Sequence, residues 1–374
     1  MTISSRQLAI ILYTFMVGSV LAQVPGKAAA QDAGLATLGA SLPGLLLLHL
    51  LIVVQKRFPG QSLLRISVLS LGRGPGYLLN TLYLAAVFLV TMTYLFKTGR
   101  FLQVHFPLLP LTLLGGVLLL STGYCLYQGL NAWTRLVITL FFIALAFSAL
   151  GFAFTGSLVS PAELRPFLQH PGRLWLGILQ AATSPYAEVV LLAPLLARVN
   201  DLQEKALALY VSYAAVVLLF FPRDLAITAV LGAKLMQASR YPLIEAYRLV
   251  GFAQFQRLEL VFFIVGFSVA ISSLLVGVQS LTCSLKDTLA AKSSRPFILP
   301  VSLLLLTVAC YSFPNDVFYY QVVEPVLPFL TLPSLTLFAL LLYLSSGRPN
   351  PSAVPGQMEP RGGTVDADNA DFGD

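Results

Sequence analysis

The sequence predicts an all-α membrane protein of about ten transmembrane helices in a LeuT-like five-plus-five inverted repeat, with the first and sixth helices broken. Three observations predict it. Hydrophobic residues make up 57% of the 374 positions and charged residues only 10%, where a soluble domain carries roughly a quarter charged. Continuous apolar windows long enough for ~30 Å of hydrocarbon recur along the chain, without the alternation that a β-barrel strand needs. Finally, the window that opens each half carries residues that interrupt a helix.

The windows fall at 8–26, 35–55, 76–96, 107–128, 134–156, 174–197, 206–222, 258–281, 297–313 and 323–344. The first begins after Arg6 and precedes Ala28-Ala29-Ala30, as a secretion signal would. Its apolar run is long for a signal, and nine further windows follow, so it is expected to stay attached. Gly18-Ser19 lies inside it and Pro25-Gly26 closes it. A helix unwound at Gly18-Ser19 turns backbone N–H groups toward the bilayer centre, with Ala22 one turn further as a possible polar or cation position. A packing contact between small residues explains the pair equally well.

Between the second and third windows, KRFPGQSLLRISVLSLGRGPG mixes Leu63, Leu64, Ile66 and Leu71 with basic residues and reads as a short amphipathic helix on the cytoplasmic surface. Gly72-Arg73-Gly74-Pro75-Gly76 reads as a loop; its proline sits where a phosphate cradle needs a donor. In the third window Tyr83, Val87 and Tyr94 share a helical stripe, so a tyrosine there is a candidate to close over a ligand.

The sixth window holds the strongest signal. Pro185 removes a helical hydrogen bond and disfavours helix at Ser184. Thr183 and Ser184 offer hydroxyls, and Tyr186 follows the break. Glu188 stands one turn past Ser184 near mid-depth, where an ionisable group is costly and usually functional. Backbone unpaired at membrane depth is tolerated only against protein or a wet cavity. Inverted-repeat transporters hold their substrate between two such broken helices.

The link 223–257 is too long to be structureless in a compact fold. One or two short helices, placed to cover an entrance, are expected there. In the eighth window Ser268 and Ser272 share a face and are a possible cation site with the first helix, although serines more often bond their own helix. Residues 1–345 are expected to form the transmembrane domain. Residues 346–374 are rich in proline, glycine and acids, and read as a disordered cytoplasmic tail.

With the N-terminus inside, twelve Lys and Arg residues fall on the cytoplasmic side and five on the other, leaving the long link out. Both ends are therefore expected in the cytoplasm. The net charge of +7 follows from this bias and from contact with anionic lipid, so nucleic acid is not implied. Cys125, Cys283 and Cys310 are scattered, as are His49, His105 and His170, and no metal or cofactor site follows from their spacing. With no GxxxxGK[ST] and no paired carboxylates, an enzyme is disfavoured.

The start Ser5-Arg6-Gln7, followed by Gly18, Pro25 and Asp32-Ala33, resembles the B subunits of spore germination receptors. These are endospore germination permeases of the amino acid–polyamine–organocation superfamily. RFPGQSL, SPYAEVVLLAPLL and FQRLELVFFIVGFSVAISSLL are also similar to that family, and the resemblance spans roughly residues 3–345. Gly34 departs from the family's usual tryptophan, and Ser-Pro-Tyr-Ala precedes Glu188 where a glycine is common. The resemblance implies a LeuT-like bundle in the spore inner membrane that binds a germinant, often an amino acid. It implies as partners a membrane-embedded A subunit and a lipoprotein C subunit. An amino-acid permease uses the same pocket, and sequence does not separate the two.

Overall fold

A computed structural model describes residues 2–20, 23–104, 106–155, 159–165, 168–249, 258–313 and 316–347. The described chain is helical, with one isolated bridge between Ile3 and Val199. Seven helices are long and apolar enough to cross a bilayer, and three shorter apolar ones bring the spans among the described residues to ten.

The first span, α1 (Ser5–Val20), starts on a reciprocal cap: Ser4 N–H donates to Gln7 Oε1 at 2.9 Å and Gln7 N–H to Ser4 Oγ at 3.2 Å. The helix runs unbroken through Gly18-Ser19, contrary to expectation. Gly18 serves close packing instead, since a Cβ there would collide with the Val269 carbonyl. The interruption comes after Val20. Sixteen residues at 1.5 Å each reach only about 24 Å, so α1 by itself falls short of the ~30 Å hydrocarbon core.

A short 3-10 turn (Lys27–Asp32) leads into α2 (Ala33–Arg57). The amphipathic segment is the helix α3 (Leu63–Leu71), capped by Ser62 and fastened to α4 (Arg73–Gln103) by Ser67 and Asn80 side chains 2.6 Å apart. Residues 73–76, expected in a loop, form the first turn of α4, where Pro75 has no helical N–H partner to lose. Then come α5 (Leu111–Gln128) and α6 (Leu130–Thr155), which complete the first half.

The sixth span starts as α7 (Pro171–Ala181) and opens at Ala182–Tyr186, where Ser184 is extended at φ −130° and ψ 119°. It resumes as a 3-10 stretch (Ala187–Leu192) and the short α8 (Ala193–Leu196). The break expected at Thr183–Pro185 is therefore present. After α9 (Leu202–Lys205), α10 (Leu207–Ala238) continues well beyond the expected end at 222, to a kink at Gly232 with φ +72°. The apolar pattern stops at Arg223-Asp224, but burial is tolerated because the pair is matched. Asp224 accepts from Arg223 Nη2 at 2.7 Å and from Thr37 Oγ1 at 2.8 Å. The turn after Gly232 and α11 (Pro242–Leu249) supply the short helices expected in the long link.

The last spans are α12 (Leu258–Thr288), α13 (Arg295–Tyr311) and, after the three-residue α14 (Asp316–Phe318), α15 (Glu324–Ser346). At the centre α12 packs on both α1 and α4. Gly277 admits Thr91 of α4, while Ser272 and Ser273 donate to the carbonyls of Thr14 and Phe15 in α1 at 3.0 and 3.1 Å. The tail expected over 346–374 lies outside the described residues from 348 onward.

Candidate functional site

Spans one, three, six and ten enclose a cavity of about 190 Å³. About 10–15 Å³ of such space accommodates one water, so the cavity has room for a solute of several non-hydrogen atoms. Its shape follows from two interruptions. Where α1 stops, Ser19, Gln23, Val24 and Pro25 line it, and where the sixth span opens, Thr183, Ser184 and Glu188 do.

At the depth of the break, Glu188 is 3% exposed, with Ser19, Tyr94 and Ser184 beside its carboxylate. Glu188 Oε2 and Tyr94 Oη are buried, yet neither reaches hydrogen-bonding geometry with a protein group. The hydroxyls of Ser19 and Thr183 are taken by the carbonyls of Met16 and Leu179 at 3.0 and 2.9 Å. At this end of the cavity Glu188 Oε2 and Tyr94 Oη are the buried polar atoms without a well-aligned partner, and a buried carboxylate oxygen left unmatched is costly.

One turn along α4 from Tyr94 lies the second charged region. Lys97 Nζ is 2.9 Å from Glu324 Oε1 of α15 and donates to Gln23 Oε1 at 3.1 Å. Lys27 and Tyr320 line the same end, and Tyr320 Oη is buried without a protein partner. The walls between are apolar, from Val20, Val90, Leu327 and Pro328. The cavity thus carries an acid at one end, a lysine–glutamate pair at the other and a hydrophobic waist. The link after Gly232 covers the lysine end: Gln237 donates to the Lys27 carbonyl at 3.1 Å, and Arg240 sits 4.4 Å over the Tyr320 ring.

Of the residues singled out in the sequence, Ser19, Thr183, Ser184 and Glu188 meet at the cavity. Gly18 faces α12 instead. Tyr83 and Val87 are fully buried away from it; the Tyr83 hydroxyl engages Ser280 Oγ at 3.0 Å and its ring stacks on Phe338. Tyr94, on the same stripe, reaches the cavity in their place. Tyr186 turns toward α10, its ring centroid 5.8 Å from that of Tyr213. Ser268 bonds its own helix at the Ile264 carbonyl, and Ser272 bonds α1 directly. Ala22 lies outside the described residues.

Sequence reasoning passed over Gln23, Lys27, Lys97, Gln180 and Glu324. Lys97 and Glu324 are the one signal that was available: opposite charges at the edges of two apolar windows.

Comparison with known proteins places this geometry. A family model described as "Spore germination protein" matches residues 2–317. Spore germination protein KB of Bacillus subtilis (strain 168) is 24% identical over 355 residues, covering 91% of this chain and 94% of that protein. Among solved structures the chain is similar to Mhp1, a nucleobase-cation-symport-1 family transporter, in a closed conformation with bromovinylhydantoin bound. That likeness has a TM-score of 0.60 at 12% identity, over 93% of this chain and 92% of the other. It shows the fold, which is LeuT-like as the broken first and sixth spans foretell. The match over residues 2–317, the agreement along nearly the whole relative and the ten-span bundle lead to one assignment: this multi-pass membrane protein belongs to the spore germination protein family.

Proposed function

We propose that this chain is the membrane subunit of a nutrient-germinant receptor and that it binds a small germinant, an amino acid, in the cavity between spans one, three, six and ten. The observation that carries the reading is Glu188. A buried carboxylate with an unpaired oxygen, delivered to mid-membrane by a break in the sixth span, is suited to an ammonium group. The lysine end offers cationic partners for a carboxylate, and the apolar waist accommodates a modest side chain.

In this reading the ligand acts by binding one conformation better than another, which is the only way a ligand shifts a population. The change passes to an A-type membrane subunit and a C-type lipoprotein subunit in the spore inner membrane. Both ends of the chain face the cytoplasm in this arrangement, in keeping with the distribution of Lys and Arg. Membership of the germination family supports this role.

The test is germination of spores whose only copy carries Glu188→Gln or Ser184→Leu, at normal protein levels. The reading expects a lost or strongly right-shifted nutrient response; an unchanged response contradicts it. Reconstituted vesicles separate the permease reading, since accumulation of labelled amino acid would make the same cavity a transport site.

A further inference from the structure

A second concavity, of about 350 Å³, opens at the other ends of the helices. It lies where α5 turns into α6, where α12 leads to α13, and beside the segment that follows α8. All of these are ends of even-numbered spans or starts of odd-numbered ones, so they share one face of the bundle. The lining includes Arg198, Gln279, Lys286, Lys292, Ser294 and Arg295, with three further positions from the α5–α6 corner.

Four cations in one cleft repel each other unless an anion joins them. The protein supplies little. Lys286 Nζ is 3.9 Å from Asp287 Oδ1, at the limit of an ion pair. Arg198 Nη2 donates to the Cys283 thiol at 3.1 Å, a weak acceptor that leaves its charge unmatched. Among the described residues, Arg198, Lys292 and Arg295 form no ion pair. The spans α6 and α13 both begin here, adding the partial positive charge of their first turns. Gln279 and Ser294 add neutral hydrogen-bonding groups beside the guanidinium and ammonium groups.

We propose that this cleft binds a phosphate-bearing anion. Its position at the helix ends is the level at which phospholipid phosphates lie, and basic pockets between transmembrane helices hold anionic headgroups in this way. Arg198 stands two residues past α8, and the neighbouring backbone is tied to the start of the chain, with Ile3 N–H donating to the Arg198 carbonyl at 3.0 Å. An anion held by Arg198 therefore fixes the inner end of the broken sixth span against α12 and α13.

The experiment uses the purified full-length protein in neutral detergent, with the melting temperature followed as phosphatidylglycerol, phosphatidylcholine or inorganic phosphate is added. Lys292 and Arg295 are exposed, so Lys292→Gln/Arg295→Gln is expected to fold. The wild type is expected to be stabilised by phosphatidylglycerol and not by phosphatidylcholine. The apparent affinity falls about twenty-five-fold in the double variant, at about fivefold for each charge removed. Arg65→Gln/Arg73→Gln removes two exposed charges elsewhere on the same face and should leave the response intact. Stabilisation by phosphatidylglycerol alone assigns a lipid headgroup, and equal stabilisation by inorganic phosphate assigns a soluble ligand. A wild type that responds to neither, or a double variant that responds as the wild type does, overturns the proposal.

Discussion

Lys97 Nζ lies 2.9 Å from Glu324 Oε1 and so joins the third span to the tenth across one end of the cavity. The two side chains are 14% and 20% exposed, so each partner left alone would hold a poorly solvated charge.

Removing one member should therefore cost more than removing both. Lys97→Met or Glu324→Gln is expected to lower stability by about 1–3 kcal/mol, below the full range for a buried pair because of the partial exposure. Lys97→Met/Glu324→Gln should recover at least ~1 kcal/mol of the summed single losses. Thermal unfolding of the four proteins in detergent closes the cycle, and additive losses would show that the pair is not coupled.

Gly18 sets the approach of α1 to α12. Gly18→Ala pushes a methyl group against the Val269 carbonyl and Ser273 Oγ, which should cost about 1–3 kcal/mol. If the wild-type melting temperature is retained, the close approach is not what the glycine provides.

Asp201 accepts the Ser5 N–H at 2.6 Å and pairs with Lys205 at 3.2 Å. Burial pushes its carboxyl upward, but the bonds from Ser5 and Lys205 outweigh it and hold the group below the usual aspartate range. A depressed value stabilises the fold above the ordinary pKa near 3.9 and ceases to do so as pH falls through the folded value. Asp201→Asn is thus expected to be less stable than the wild type at pH 6 and to converge with it as the pH falls through the depressed folded value. A difference between the two that persists unchanged into acid would rule this out.

The number of spans was legible because membrane depth fixes the length of an apolar run, and Pro185 marked the sixth break because proline cannot complete the ladder. Gly18-Ser19 misled, since a small residue that unwinds a helix and one that admits a neighbour look alike until the neighbour is known. Here the neighbour is α12, far along the chain. Tyr83 and Tyr94 were correctly placed on one stripe, but only packing decides which of them meets the cavity. The Lys97–Glu324 pair was hidden for the same reason: each charge alone resembles a residue at a membrane edge, and its meaning lies in a contact between distant spans. Arg223-Asp224 ended the apolar pattern of the seventh span, although Thr37 of α2 makes that pair tolerable inside it.

The central claim is that the cavity at Glu188 receives the germinant, and direct binding tests it most closely. Titration of the purified protein with a panel of amino acids should give a saturable signal for at least one. Glu188→Gln, with an unchanged melting profile, should weaken that binding about tenfold to a hundredfold, as expected for losing a charged hydrogen-bond partner. Equal affinity in Glu188→Gln and wild type would contradict the account.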